Sequence, residues 1–154
     1  MNTIKHHLTD ALLMGYSAGS LPEAFNLVVA THISMCDTCR AALAEFDAVG
    51  GEVMMQSDAS DMSADSLAAT MALIANAPTT VKPKAANNNL PAPLQNYIHA
   101  DLSDVKWRKV GGGVSQMVLS TSKAATVRLL KIPAGTAVPD HGHHGTELTL
   151  VLQG

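Results

Sequence analysis

Aromatic side chains are scarce, with one Trp, two Tyr and two Phe in 154 residues. So few rings exclude a base-stacking surface for single-stranded nucleic acid. Long apolar runs are also missing. Nothing approaches the roughly 18 consecutive apolar residues of a membrane-spanning helix. The stretch after Lys5 is broken by His6, His7 and Asp10 before residues 11–14, so neither a membrane span nor a signal peptide is read there. Cysteine is limited to two residues, in Cys36-Asp37-Thr38-Cys39. That is too few for a secreted disulfide scaffold, and the spacing suits a metal or redox site in the cytosol. A cytoplasmic protein is expected.

What the chain does hold is apolar content: 47% of residues are hydrophobic and 15% charged, enough for one compact domain or two small ones. The net charge of −3 hides a division. Residues 1–77 carry two bases, Lys5 and Arg40, against nine acids, a balance of −7, whereas residues 78–154 carry eight bases against four acids, a balance of +4. Phosphates would repel the acidic half, so the expected partner is a basic protein, with no direct nucleic-acid contact and no membrane.

Residues 8–77 read as helical. Leu8, Ala11, Leu12, Gly15 and Tyr16 recur at helical spacing and stop at Ser17-Ala18-Gly19-Ser20. A second helix is expected after Ser20, where Ser20-Leu21-Pro22-Glu23 has the spacing of a capping box. A third should start near Asp37 and run to Gly50-Gly51 or a little beyond, and a fourth fits residues 63–77, with Leu67, Met71 and Ile74 on one stripe. Residues 78–93 hold four prolines and three consecutive asparagines and read as an extended linker. Beyond it the pattern turns to strands at 114–119, 125–132 and 147–152, preceded by Gly111-Gly112-Gly113. The domain organisation is therefore 1–77 helical, 78–93 linker, and 94–154 β.

The CxxC spacing serves zinc sites and thiol redox catalysts alike. A thioredoxin-type motif follows a buried strand, but the residues before Cys36 are helical, which disfavours redox catalysis. His32 precedes Cys36 by four and Cys39 by seven, so on a near-helical path all three project within about 60° of one another. Zinc takes four nitrogen or sulfur ligands in a tetrahedron, which leaves one position for a residue distant in sequence, and His6 or His7 can fill it. Such a staple would compensate for a thin core, since structural zinc adds about 10–16 kcal/mol of apparent binding energy. The competing view has His32 merely packed and both cysteines as small buried hydrophobes.

His32-x3-Cys36-x2-Cys39, with the preceding His6-His7-Leu8-Thr9-Asp10-Ala11-Leu12-Leu13, resembles the zinc-binding anti-sigma domain, most closely that of the ChrR-type anti-sigma factors. The resemblance assigns His7, His32, Cys36 and Cys39 to zinc. It also implies a partner, an extracytoplasmic-function sigma factor held by the N-terminal helices so that it cannot join RNA polymerase core. Acidic helices facing the basic surfaces of such a partner agree with the charge division, and Leu67, Met71 and Ile74 would offer an apolar stripe.

A second constellation, Gly135-x5-His141-x-His143-x3-Glu147-x6-Gly154, resembles the first sequence motif of the cupins. Its physics is legible without the family. His141, His143 and Glu147 share one parity, so a strand-turn-strand course can set them on one face, while His144 has the other parity. Two imidazoles and a carboxylate form a common arrangement for a divalent metal, zinc foremost, with iron, manganese and nickel also compatible. Cupins close their barrel with a second motif, and none follows before Gly154, so a truncated cupin is expected. The overall expectation is a multidomain α plus β chain, a zinc-stapled bundle of three or four helices followed by an incomplete cupin barrel or jelly roll.

Three functions follow from these features. The leading one is a regulator that sequesters a sigma factor, with the cupin part conveying an oxidative signal. Singlet oxygen is named as that signal by the resemblance to ChrR-type proteins alone. The alternative is a metal-dependent cupin enzyme with a helical accessory domain, against which no acid or base beyond the ligands is evident. A zinc module for DNA lacks a basic recognition helix. The chain is thus expected not to be an enzyme.

Overall fold

The structure, a computed structural model, describes residues 4–78, 90–98, 105–119, 121–138, 141–142 and 144–154. Helix α1 spans Asp10–Ser17, α2 Glu23–Met35, α3 Asp37–Met55, α4 Ser66–Ala75 and α5 Ala92–Gln95; strands β1, β2 and β3 span Arg108–Gly111, Val114–Leu119 and Val127–Lys131.

Local chemistry sets these boundaries. The Thr9 hydroxyl accepts from the Leu12 amide and opens α1. At the other end Gly19 takes φ +64, the Ser20 amide donates to the Gly15 carbonyl, and the Gly19 amide donates to that of Tyr16. A left-handed residue with these two bonds is a Schellman closure, which satisfies the last carbonyls. The expected capping box does not form at α2. The helix starts at Glu23 behind Pro22, too late for Ser20 to reach its free amides, and the Ser20 hydroxyl donates to Gly15 O instead. Cys36, at φ −118 and ψ 106, is extended and divides α2 from α3.

The described strands form an antiparallel meander in the order β1-β2-β3. Gly112 and Gly113, at φ 57 and 79, provide the consecutive positive φ angles that a two-residue hairpin turn needs, and Gly111 pairs with Val114 across it. Residues 147–152, expected as a strand, carry no strand among the described residues. Alternation alone does not make a strand, because its backbone needs a ladder partner. The pattern survives only in burial, with Leu148 and Leu150 half-buried and Thr149 and Val151 exposed. Part of the linker also differs from the expected extended form. Residues 79–89 lie outside the described residues, while Leu90 is buried and Pro91 opens α5.

Two apolar clusters meet at α2. On one side Val29 and Ile33 pack with Leu13, Cys36 and Cys39, flanked by Leu8, Leu12, Tyr16, Leu43 and Phe46. On the other, Ala24 and Leu27 pack with Leu90, Leu94, Ile98, Val105, Leu119 and Val127. At 100° per residue, positions 24 and 27 lie on the opposite side of the helix from 29 and 33. Helix α2 is therefore the wall common to both cores. Helix α4 has no buried residue at all. Among the described residues, no helix is long and apolar enough to cross a membrane.

Candidate metal centre

Segment 4–9 runs into α1 with Leu8 packed against the first cluster, and the Leu8 amide donates to Cys39 Sγ at 3.4 Å. That anchor sets the neighbouring His7 beside the cysteines. His32 occupies the last turn of α2, Cys36 the break, and Cys39 the first turn of α3. The Arg40 guanidinium closes the junction by donating to the Ile33 carbonyl at 2.8 Å and pairing with Asp37. Arg40 was not singled out in the sequence, although a basic residue just past a helix C-terminus is a known signal for such a contact.

The ligand atoms of His7, His32, Cys36 and Cys39 all lie within 4.8 Å of one another, with His7 exposed and the other three buried. His7 Nδ1 is 3.4 Å from Cys36 Sγ and 3.6 Å from Cys39 Sγ, and His32 Nε2 is 3.3 Å from Cys39 Sγ. A tetrahedral zinc with bonds of about 2.3 Å to sulfur and about 2.05 Å to nitrogen separates an N and an S ligand by about 3.6 Å. Pairwise hydrogen bonding would not require four groups to converge on one point; a cation does. The residues therefore fit the metal that the motif implies. The choice left open between His6 and His7 falls to His7, since His6 is not in the group.

Burial shifts two of the four groups toward their neutral forms. Burial foremost, then the nearby His7, holds His32 below its usual protonation range, so its imidazole is neutral and free to ligate. Burial foremost pushes the Cys39 thiol up, with Cys36 adding to the rise and the Leu8 amide opposing it. On binding a metal ion such a thiol would release its proton to solvent, and the ion's charge would offset the penalty on the thiolate.

The second constellation is less complete. His141 and Glu147 are both exposed, neither belongs to a metal-holding group among the described residues, and His143 lies outside those residues. His144 is exposed, and His99 lies outside the described residues.

The model of the ChrR cupin-like domain family matches residues 95–154. The anti-sigma-E factor ChrR of Cereibacter sphaeroides is 53% identical over 153 residues, spanning 99% of this chain and 72% of that protein. Among solved structures, the crystal structure of Rhodobacter sphaeroides SigE in complex with the anti-sigma ChrR superposes with a TM-score of 0.80 at 50% identity, covering 93% of this chain and 74% of the matched one. Near-complete coverage at this identity, together with the His and Cys cluster and the helix-then-sheet order, means that the chain belongs to the ChrR family of anti-sigma factors.

Proposed function

We propose that this chain binds a sigma factor of the extracytoplasmic-function class and keeps it from RNA polymerase core. The observation that carries this reading is the unpartnered apolar surface of α4 and the second half of α3. Val53, Met54 and Met55 on α3 and Leu67, Leu73 and Ile74 on α4 are all more than 60% exposed. A helix that buries nothing of its own is stable only marginally, and a partner groove supplies the missing burial. The −7 balance of residues 1–77 favours a basic partner. The 53% identity to an anti-sigma-E factor and the likeness to a chain solved with SigE support the same assignment.

In this reading His7, His32, Cys36 and Cys39 hold zinc, which supplies a cross-link between the segment before α1 and the α2–α3 junction. Residues 1–77 form the clamp, 78–93 the connection, and 94–154 the first part of a cupin domain, where His141, His143 and Glu147 hold a divalent metal, zinc foremost. That part relays an oxidative signal of the singlet-oxygen type. The protein acts in the cytoplasm by binding, without turnover and without touching nucleic acid or membrane. The test is co-expression of the full chain with each sigma factor of this class from the same genome. A 1:1 complex containing zinc is expected. Leu67→Asp combined with Ile74→Asp should weaken it by more than about a hundredfold while leaving the melting temperature nearly unchanged, because both side chains are already in water. A clamp that captures none of them sinks the proposal.

A further inference from the structure

The Glu23 carboxylate stands at the start of α2, where the sequence suggested a capping role, yet it serves two donors far away in the chain. The Tyr97 hydroxyl donates to Oε1 at 2.9 Å, and the Ser122 amide donates to Oε2 at 2.6 Å. Tyr97 follows α5. Ser122 lies in the β2–β3 connection, which is itself braced by the Thr121 hydroxyl donating to the Ala125 carbonyl at 3.1 Å. One side chain thus ties the first turn of α2 to two separate pieces of the sheet side.

Helix α2 carries more than this tie. Its sheet-side face buries Ala24 and Leu27. Its other face buries Val29 and Ile33 beside the cysteines and presents His32 to the metal centre. Thr31 is fully buried as well, its hydroxyl donating to the Leu27 carbonyl at 2.7 Å. Glu23 and His32 are nine positions apart, about 13.5 Å of helix. A close-packed helix moves as a unit, because its neighbours leave no space to absorb a shift on one face alone.

We propose that α2 is the mechanical link between the sheet side and the metal centre, and that Glu23 is the latch that sets its position. When the latch is made, the two donors hold the first turn of α2 and the far end keeps His32 and Cys36 in place. When the sheet side rearranges, Tyr97 and Ser122 move away and α2 is released toward the bundle. Glu23 is a positioning residue, since it belongs neither to the ligand group nor to the apolar surface of α3 and α4 assigned to the partner. The inference deepens the sequestration reading by naming how a signal reaches the clamp, and it rests on that reading only for the zinc.

The test compares the full chain with Glu23→Ala, Glu23→Gln and Tyr97→Phe, using amide hydrogen exchange and the rate at which a chromogenic chelator strips zinc. Glu23→Ala should speed exchange in residues 31–36 and zinc loss by about three- to tenfold, the effect of two charge-assisted hydrogen bonds discounted for their exposure. Glu23→Gln keeps one acceptor and should fall in between, while Tyr97→Phe should do little more once Glu23 is Ala. Exchange that rises only around residues 23–27, 97 and 121–125, with zinc loss unchanged, overturns the link. So does a rise spread evenly over α1, α2 and α3, which would mark a general loss of stability. If the unaltered chain holds no zinc, the zinc reading fails by itself, and the exchange pattern still decides the latch.

Discussion

His7, His32, Cys36 and Cys39 gather within 4.8 Å, whereas His141 and Glu147 stand exposed and belong to no such cluster among the described residues. Both constellations are equally plain as sequence patterns. Three ligands of the first come from one short stretch, His32 in the last turn of α2, Cys36 at the extended break and Cys39 in the first turn of α3, so the turn between two helices, not the continuous helical path the spacing suggested, brings them together. Only His7 must be brought from afar, and the Leu8 anchor does that. The ligands of the second share a face only where a strand exists, and a strand exists only when its neighbours pair with it. Convergence at a helix–helix junction is local; convergence by sheet is collective.

Four experiments can break or sharpen that contrast. The largest effect belongs to the closed centre: Cys39→Ala should abolish zinc binding and remove much of the helical signal in far-ultraviolet circular dichroism, since structural zinc contributes about 10–16 kcal/mol in apparent terms. An unchanged melt would mean that the apolar cluster around Leu13 and Val29 suffices unaided. Next, Leu94→Ala should cost about 2–4 kcal/mol in denaturant unfolding while the zinc content stays whole, because Leu94 fills the sheet-side core alone. Loss of zinc there would show that the two cores do not fail separately. Third, His141→Ala should lower the metal content by one loosely held equivalent at most, leaving the N-terminal ion in place, as read by equilibrium dialysis. Identical content in variant and parent would mean that the second constellation holds nothing in this chain.

The smallest effect is in the pH profile of the metal-free chain. His32 is harder to protonate folded than unfolded, so stability falls as pH drops through its ordinary value of 6.5 toward the lower folded one. Cys39 is harder to ionise folded than unfolded, so stability falls again as pH rises through 9.0 toward the higher folded value. The melting temperature should therefore peak between these limits, and a profile that is flat on the acid side would contradict a neutral, buried His32.

Periodic helices were readable in the sequence because their burial is written in single residues. Residues Asp10–Ser17, Glu23–Met35 and Asp37–Met55 fall close to where apolar spacing, Gly19 and Asp37 placed them, and the strand expected at 114–119 is β2. Helix α5 escaped because Pro91 and Pro93 read as linker, although proline suits the first turn of a helix. The spacing of Leu90, Leu94 and Ile98, four residues apart, was the signal. Strand β1 escaped because Arg108, Lys109 and Val110 lie on an exposed edge with no alternation to read. The Glu23 contacts were invisible for another reason: their partners lie 74 and 99 residues away, and no local pattern reports such a meeting.

The uneven burial of the four ligand groups has a kinetic consequence. Cys36, Cys39 and His32 are enclosed, and His7 alone faces water on a non-helical segment. An ion held there has one door. Water or a competing chelator would reach such an ion first at His7, so lifting of segment 4–9 would add its own contribution to release beside that of α2. The Leu8 amide on Cys39 Sγ is the next bond along that segment, so a backbone hydrogen bond would share with the His7 ligand bond the control of exchange on this side.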